Sequence, residues 1–185
     1  MGLGNPGAEY ARTRHNVGAE AIELLAQRCG VALRRERNTS ARAAPVEIGE
    51  VGVLLAVPET YMNESGLAAR LLIRRLDLGD LGHLVVVHDE LDLPVGAVRV
   101  KRGGGTAGHN GLRSLQAHLH SLEFLRVRIG IGRPPGRMPG ADYVLRRPGR
   151  AEREELDVAI ARAADAVELV VTEGADAAMN LMNVR

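Results

Sequence analysis

Arg12-Thr13-Arg14-His15-Asn16 is too polar a run for a hydrophobic core, and it sets one imidazole between a glycine-rich turn and a helical pattern. Histidine titrates near neutrality, so His15 can take a proton from water or another weak acid. Far along the chain, His88-Asp89-Glu90-Leu91-Asp92-Leu93-Pro94 follows directly on the unbroken apolar run Leu84-Val85-Val86-Val87. Catalytic and ligand groups gather at the carboxyl ends of strands in open α/β sheets, which makes Asp89 a candidate site residue. The acids beside His88 could also suggest a hard cation, but oxygen cages need more converging carboxylates, and a solvated turn closed by Pro94-Val95-Gly96 fits as well. Asn5, Asn63 and Asn110 each lie in a glycine- or turn-rich loop. Asparagine is common in turns for local reasons. Three such loops beside a histidine and an aspartate also make a set of neutral hydrogen-bonders suited to a peptide backbone or a developing oxyanion. Tyr61 and Met62 could wall that pocket, with core packing the alternative for Met62.

Two stretches, Gly2 through Gly7 and Gly103 through Gly108, satisfy the G-x-G-x-x-G spacing. A dinucleotide fingerprint needs a strand before it and a helix opening at its last glycine. The first copy has almost no chain before it, and the polar run from Tyr10 to Asn16 delays its helix. The second has better context and also reads as a tight turn, or as backbone N–H groups cradling an anion at a helix start. Arg99 and Lys101 alternate on one strand, Arg126 and Arg128 on another. Side by side, those strands would line four cations along a phosphate track, and the spacing fits a solvated strand face equally well.

These groups need a scaffold. Ile22, Leu25, Ala26 and Cys29 fall on one face of a helix from Gly18 to Gly30, which makes Cys29 a core residue. Val46 to Val57 contains two short strands ending at Pro58, and Asn63 or Ser65 opens a helix through Leu76. The run Leu84–Val87 has the character of a strand covered on both faces. Val98 and Val100, then Val127, Ile129 and Ile131, mark alternating strands on either side of a helix from about Asn110 to His120. Pro134 to Gly140 is a loop, a long amphipathic helix runs on from Arg150, and a short helical tail follows Gly174. Strands alternating with helices predict a three-layer α/β/α domain spanning residues 1–185.

Composition narrows the function classes. The chain has 185 residues, 45% hydrophobic, with a net charge of +1, which is enough for one core and argues against disorder. No apolar run approaches the ~20 residues needed to span a bilayer, and the amino terminus lacks the basic start and apolar stretch of a signal peptide. One cysteine excludes an internal disulfide and a cysteine metal cluster, so a reduced, cytoplasmic protein is expected. Lys101 is the only lysine among 24 basic residues. The positive charge is therefore almost all guanidinium, permanent and forked for phosphate, although genomic base composition accounts for most of it. Aromatics at 2% exclude base stacking as the main recognition device.

The ordered series Gly2-Leu3-Gly4-Asn5-Pro6-Gly7 with Tyr10, Thr13-Arg14-His15-Asn16, Thr60-Tyr61-Met62-Asn63, His88 through Pro94, Gly108-His109-Asn110-Gly111-Leu112 and Arg128-Ile129-Gly130-Ile131-Gly132 closely resembles bacterial peptidyl-tRNA hydrolase. The series spreads over about three quarters of the chain, and its specificity lies in the order rather than in any single motif. The resemblance implies a monomeric, metal- and cofactor-free esterase on a twisted mixed sheet flanked by helices. Its substrate would be peptidyl-tRNA, cleaved at the ester to the terminal ribose. By position, His15 would be the general base, Asp89 the carboxylate holding the imidazole, and Asn5 the residue sensing a blocked amino group. Tyr10, Tyr61, Asn63 and Asn110 match substrate-contacting positions, and Lys101 and Arg128 match a phosphate clamp.

The chain departs from the family in having Met1 almost on the first turn, where relatives carry apolar strand-forming residues. Either this strand is cut to a stub, which would leave a gap in the sheet and a charged α-amino group near Asn5, or the start codon was chosen too late. Two other classes of function compete. A nucleotide-binding α/β protein would use the glycine fingerprints and leave His15 idle, and a non-catalytic tRNA-binding module would bind through its arginines without cleaving.

Overall fold

A computed structural model describes residues 1–183. Among these residues six strands form two three-stranded groups: β1 (Arg34–Glu36), β2 (Ala41–Ile48) and β3 (Val51–Pro58) in sequence order, and β4 (Val85–Glu90), β5 (Val98–Arg102) and β6 (Leu125–Gly130) in the order β4-β6-β5. β6 runs parallel to β4 and antiparallel to β5, so the sheet is mixed. Residues 1–3 join the groups. Gly2 N donates to Ala56 O of β3, and Leu3 N donates to Val87 O of β4, both at 2.9 Å.

An apolar cavity of about 590 Å³ lies next to Met1, walled by residues such as Leu54, Leu72, Leu84 and Val170. It holds none of the sequence-predicted site residues. The α-amino group donates to Val85 O at 2.7 Å, at the beginning of β4 and therefore at the far end of that strand from Asp89. Its predicted place near Asn5 is corrected: the first residues run parallel to β4, so Asn5 lies beyond the opposite end.

Alternation along the strands sends side chains into two cores. Val87, Val127, Ile129, Val98 and Val100 pack with α1 (Val17–Arg28) and α5 (Arg150–Glu173). Val86, Ala56 and Leu3 pack on the other face with α2 (Ser65–Leu76) and α3 (Asn110–Leu119). That is the three-layer arrangement the periodicity predicts, completed by α4 (Gly140–Val144) and α6 (Ala175–Met182). β2 starts at Ala41 rather than near Val46, because its first half is short alanines whose covered face only the tertiary structure supplies. Pro45 is tolerated there since β1 pairs only with residues 41–43, leaving no partner for the missing N–H.

One close approach aims the site. A Cβ on Gly18 would fall 2.3 Å from Val87 O, and one on Gly2 would fall 2.2 Å from Gly18 O. Only glycines at both places let α1 lie with its first turn against β4, which sets the residues just before α1 over the carboxyl end of that strand.

Candidate active site

His15 lies in a 3-10 turn, Arg14–Asn16, that runs straight into α1. Its Nδ1 sits 2.9 and 3.0 Å from the two carboxylate oxygens of Asp89, a residue 74 positions away. A carboxylate only accepts, so Nδ1 carries the proton and Nε2 keeps a lone pair. Both side chains are buried. Burial alone would lower the His15 pKa, but the facing Asp89 charge outweighs it and raises the net value above that of a free imidazole. Burial would likewise raise the Asp89 pKa, yet His15 and then His109 hold it well below the usual carboxylate range.

His109 is the site residue to which the sequence reading assigned no role. Its Nε2 donates to the same Asp89 oxygen at 2.9 Å, and its ring lies 4.9 Å from that of His15. Its Nδ1 accepts from Gly111 N and Leu112 N, capping the start of α3. Its place one residue before a helical pattern, where a Ser, Thr, Asn or Asp cap is the norm, is the signal the sequence carries. Behind it stands His88, wholly buried, whose Nδ1 donates to Asp89 O at 2.6 Å and whose Nε2 has no partner among the described residues. Burial, reinforced by His109, pushes the His88 pKa down to about 3, so this ring stays neutral.

His15, Asp89 and His109 each offer a ligand atom within 4.8 Å of the others, the two-histidine, one-carboxylate set of a transition-metal centre. The tautomers do not suit that role. With His109 Nδ1 accepting backbone N–H groups, Nε2 must carry the proton, and an ion there would need that proton gone or the α3 cap broken. The less favoured hard-cation alternative at His88, Asp89, Glu90 and Asp92 does not assemble among the described residues. His88 is turned to its neighbour's backbone, and Asp92 pairs with Arg133 at 2.7 Å.

The histidine cluster opens into a cavity of about 190 Å³ whose other walls are the loop Thr106–Asn110 and, from α4, Gly140, Ala141 and Val144. Asn110 therefore lines the same cavity as His15 and Asp89. Asn5 is fixed from two sides: Asn16 Oδ1 accepts from its N–H and Asn16 Nδ2 donates to its C=O, both at 2.9 Å. Its own Oδ1 accepts from Met62 N at 2.8 Å, which leaves Nδ2 as a donor without a partner among the described residues. Asn16 is thus a supporting residue that spacing alone does not single out. Asn63 and Tyr61 are exposed on either side of Met62, and Tyr61 meets Tyr10 edge to face with ring centres 6.2 Å apart. Met62 is buried in the core with Leu3 and Leu112, which settles its reading as packing.

The four-cation track is corrected. β5 and β6 do lie side by side, with Arg99 opposite Arg128 and Lys101 opposite Arg126. Arg126, however, is buried, and its guanidinium donates to Gly105 O at 2.6 Å and also to Gly104 O. Arg99 is drawn to Met182 O at 3.1 Å, where the end of α6 covers the β5 edge. That leaves Lys101 and Arg128, half-buried, as the pair able to meet a phosphate, Arg128 lying 3.8 Å from Glu90. The same contacts rule against an anion cradle at Gly103–Gly108. Two loop carbonyls point inward to Arg126, and the N–H groups at the start of α3 are occupied by His109. The dinucleotide reading fails with it, since it needs those N–H groups free. In the first glycine copy, the close helix–strand packing is supplied by the first glycine, Gly2, together with Gly18 outside the fingerprint, and not by its last glycine.

Comparison with known proteins adds the following. The family described as peptidyl-tRNA hydrolase matches residues 1–185. A protein of that name from Nocardia farcinica is 49% identical over 183 residues, covering 99% of this chain and 94% of the relative. One from Kineococcus radiotolerans is 50% identical over 185 residues, covering 96% and 92%. The crystal structure of peptidyl-tRNA hydrolase from Acinetobacter baumannii superposes with a TM-score of 0.92 at 38% identity, covering 99% of this chain and 92% of that one.

Proposed function

The chain belongs to the peptidyl-tRNA hydrolase family and hydrolyses peptidyl-tRNA; from that premise we propose that His15 is the general base of the reaction and Asp89 its orienting partner. The observation that carries the reading is the two-oxygen contact between His15 Nδ1 and Asp89, which turns the Nε2 lone pair away from the carboxylate. A water at Nε2 gives its proton to the imidazole as its oxygen adds to the ester carbonyl carbon. The tetrahedral intermediate then expels the ribose oxygen, which takes that proton back from His15. The products are a peptide carboxylic acid and tRNA with a free terminal hydroxyl. An alkoxide-leaving ester needs no serine or cysteine nucleophile, and positioned general-base help is worth ~10²–10⁴ in rate.

The carboxamides complete the site. We assign Asn5 Nδ2, a donor without a partner among the described residues, to a blocked amino group or the developing oxyanion, and an oxyanion donor adds ~10²–10³. We assign Tyr10, Tyr61, Asn63 and Asn110 to substrate contact, and Lys101 and Arg128 to the tRNA phosphates. His109 Nε2 donates to the same carboxylate, which holds Asp89 in place against His15. The reaction needs no metal or cofactor on this scheme, and we assign it to a monomer built as a single catalytic domain of residues 1–185. A substrate made on ribosomes supports assigning the enzyme to the cytoplasm. Among the described residues no helix is long and apolar enough to cross a membrane.

The test is hydrolysis of N-acetyl-aminoacyl-tRNA with and without chelator. His15→Ala is expected to lose nearly all turnover while still binding tRNA, and chelator to change nothing. Near-normal hydrolysis by that variant would end the assignment. Binding without cleavage by the unaltered protein would return it to the class of tRNA-binding modules.

A further inference from the structure

Arg14 stands immediately before the proposed base and turns away from it, into the protein. Its side chain is 8% exposed. Nε and Nη2 donate to the two oxygens of Glu152 at 2.6 and 2.5 Å, a fork-to-fork pair with the first turn of α5. Nη1 donates to Arg146 O at 3.1 Å and Tyr143 O at 3.4 Å, and the guanidinium carbon sits 4.1 Å above the Tyr143 ring. The Arg14 backbone N–H reaches Arg146 O as well, at 3.4 Å. Every one of these partners lies in α4, in the segment after it, or where α5 begins. Tyr143 is held at its other end too, its hydroxyl donating to Ile131 O at 2.7 Å.

α4 is also a wall of the catalytic cavity, through Gly140, Ala141 and Val144. Five residues form too short a helix to hold its place unaided, and the loop from residue 131 to 139 that leads into it has no strand or helix of its own. Arg147 adds a second stitch nearby, donating from Nε to Ala11 O and from Nη2 to Ala8 O at 3.0 Å each.

We infer that Arg14 is a positioning residue for substrate binding: it clamps the α4 wall to the turn that carries His15, and so fixes the width of the cavity that receives the reacting end of peptidyl-tRNA. This rests on the assignment of that cavity as the catalytic one. A fork that satisfies a carboxylate, two carbonyls and a ring face at once is geometry that a point charge cannot reproduce. Loosening the wall weakens contacts made equally to bound substrate and to its transition state, which raises KM and spares kcat.

The experiment measures kcat and KM for N-acetyl-aminoacyl-tRNA in Arg14→Gln, Arg14→Lys and Glu152→Gln, with the pH profile of kcat and hydrogen exchange at the amides of residues 140–147. We expect Arg14→Gln to raise KM about tenfold and to change kcat less than about threefold. Arg14→Lys should restore part of the loss, Glu152→Gln should move KM in the same direction, and exchange should quicken across α4. The acid limb of kcat should stay where it is, because the His15–Asp89 pair is untouched. KM within twofold of the parent in both Arg14→Lys and Glu152→Gln would overturn the inference, and these two variants decide it should Arg14→Gln fail to fold. A fall in kcat with a shifted acid limb would also overturn it, by showing that Arg14 acts on the imidazole. Neither outcome touches the general-base reading, which fails separately if His15→Ala is active.

Discussion

Lowering the pH should find its most sensitive target in His88, a residue with no part in the proposed proton transfers. Its ring is wholly buried, spends Nδ1 on Asp89 O, and has a pKa of about 3 because burial penalises the charged form. In the unfolded chain the same imidazole takes a proton near pH 6.5. Between those values the unfolded state binds more protons than the folded one, so stability is fully present above the unfolded pKa and drains away as pH falls toward the folded pKa. Each pH unit in that window is worth about 1.4 kcal/mol, and going from pH 7 to pH 4 crosses most of it. The His88 contribution to that loss is therefore about 3 kcal/mol, a large share of the 5–15 kcal/mol typical of a domain. His88→Asn supplies the comparison: its side-chain amide can donate to Asp89 O from the place of Nδ1, and it does not titrate. Urea unfolding of both proteins at pH 7, 5.5 and 4 should show the parent losing about 3 kcal/mol more than the variant, whatever their difference at pH 7. Parallel losses would refute the reasoning, and would mean that His88 is solvated or charged in the folded protein.

Other outcomes follow from the same geometry. Asp89→Asn should cut kcat by about 10²–10⁴, because an amide can present its N–H to Nδ1 and favour the wrong tautomer. The acid limb of its pH–rate profile should also move to lower pH, since the carboxylate is what raises the His15 pKa against burial; an unmoved limb in single-turnover kinetics would dismiss Asp89 as the cause. Lys101→Ala together with Arg128→Ala should weaken tRNA binding and lower the slope of log K against log salt by roughly 1.5, two phosphate contacts at about 0.7–0.9 each. An unchanged slope would make them ordinary surface charge. Arg126→Met should leave the Gly104 and Gly105 carbonyls unpaired and cost about 2–4 kcal/mol in denaturant unfolding, where a loss below about 1 kcal/mol would deny the clamp. Gly18→Ala, which puts a methyl into Val87 O, should cost at least about 1–3 kcal/mol and reduce turnover by tilting the His15 turn off Asp89; full stability by thermal melting would discount that close approach.

Periodicity and punctuation make the helices and most strands legible in the sequence. The alternation of Val98 with Arg99, and of Val127 with Arg128, determined which residues share a face, because the strand repeat of two is local geometry. The run from Leu84 to Val87 likewise announced a strand covered on both sides. The order of the motifs carried the family, and with it His15 and Asp89 as candidates. What packs against a face is another matter. Nothing local distinguishes Arg126, sealed beneath a glycine loop, from Arg128, half open on the same strand: the difference is a loop folding back from residues 104 and 105. His109 became a partner of Asp89 only when the start of α3 arrived over the end of β4, and the strand at Ala41 needed a neighbour before its alanines had anything to cover. The distance between His15 and Asp89 was settled last. It depends on two glycines that let a helix lie against a strand, and such a contact between segments remote in the chain leaves no trace in the spacing of either one.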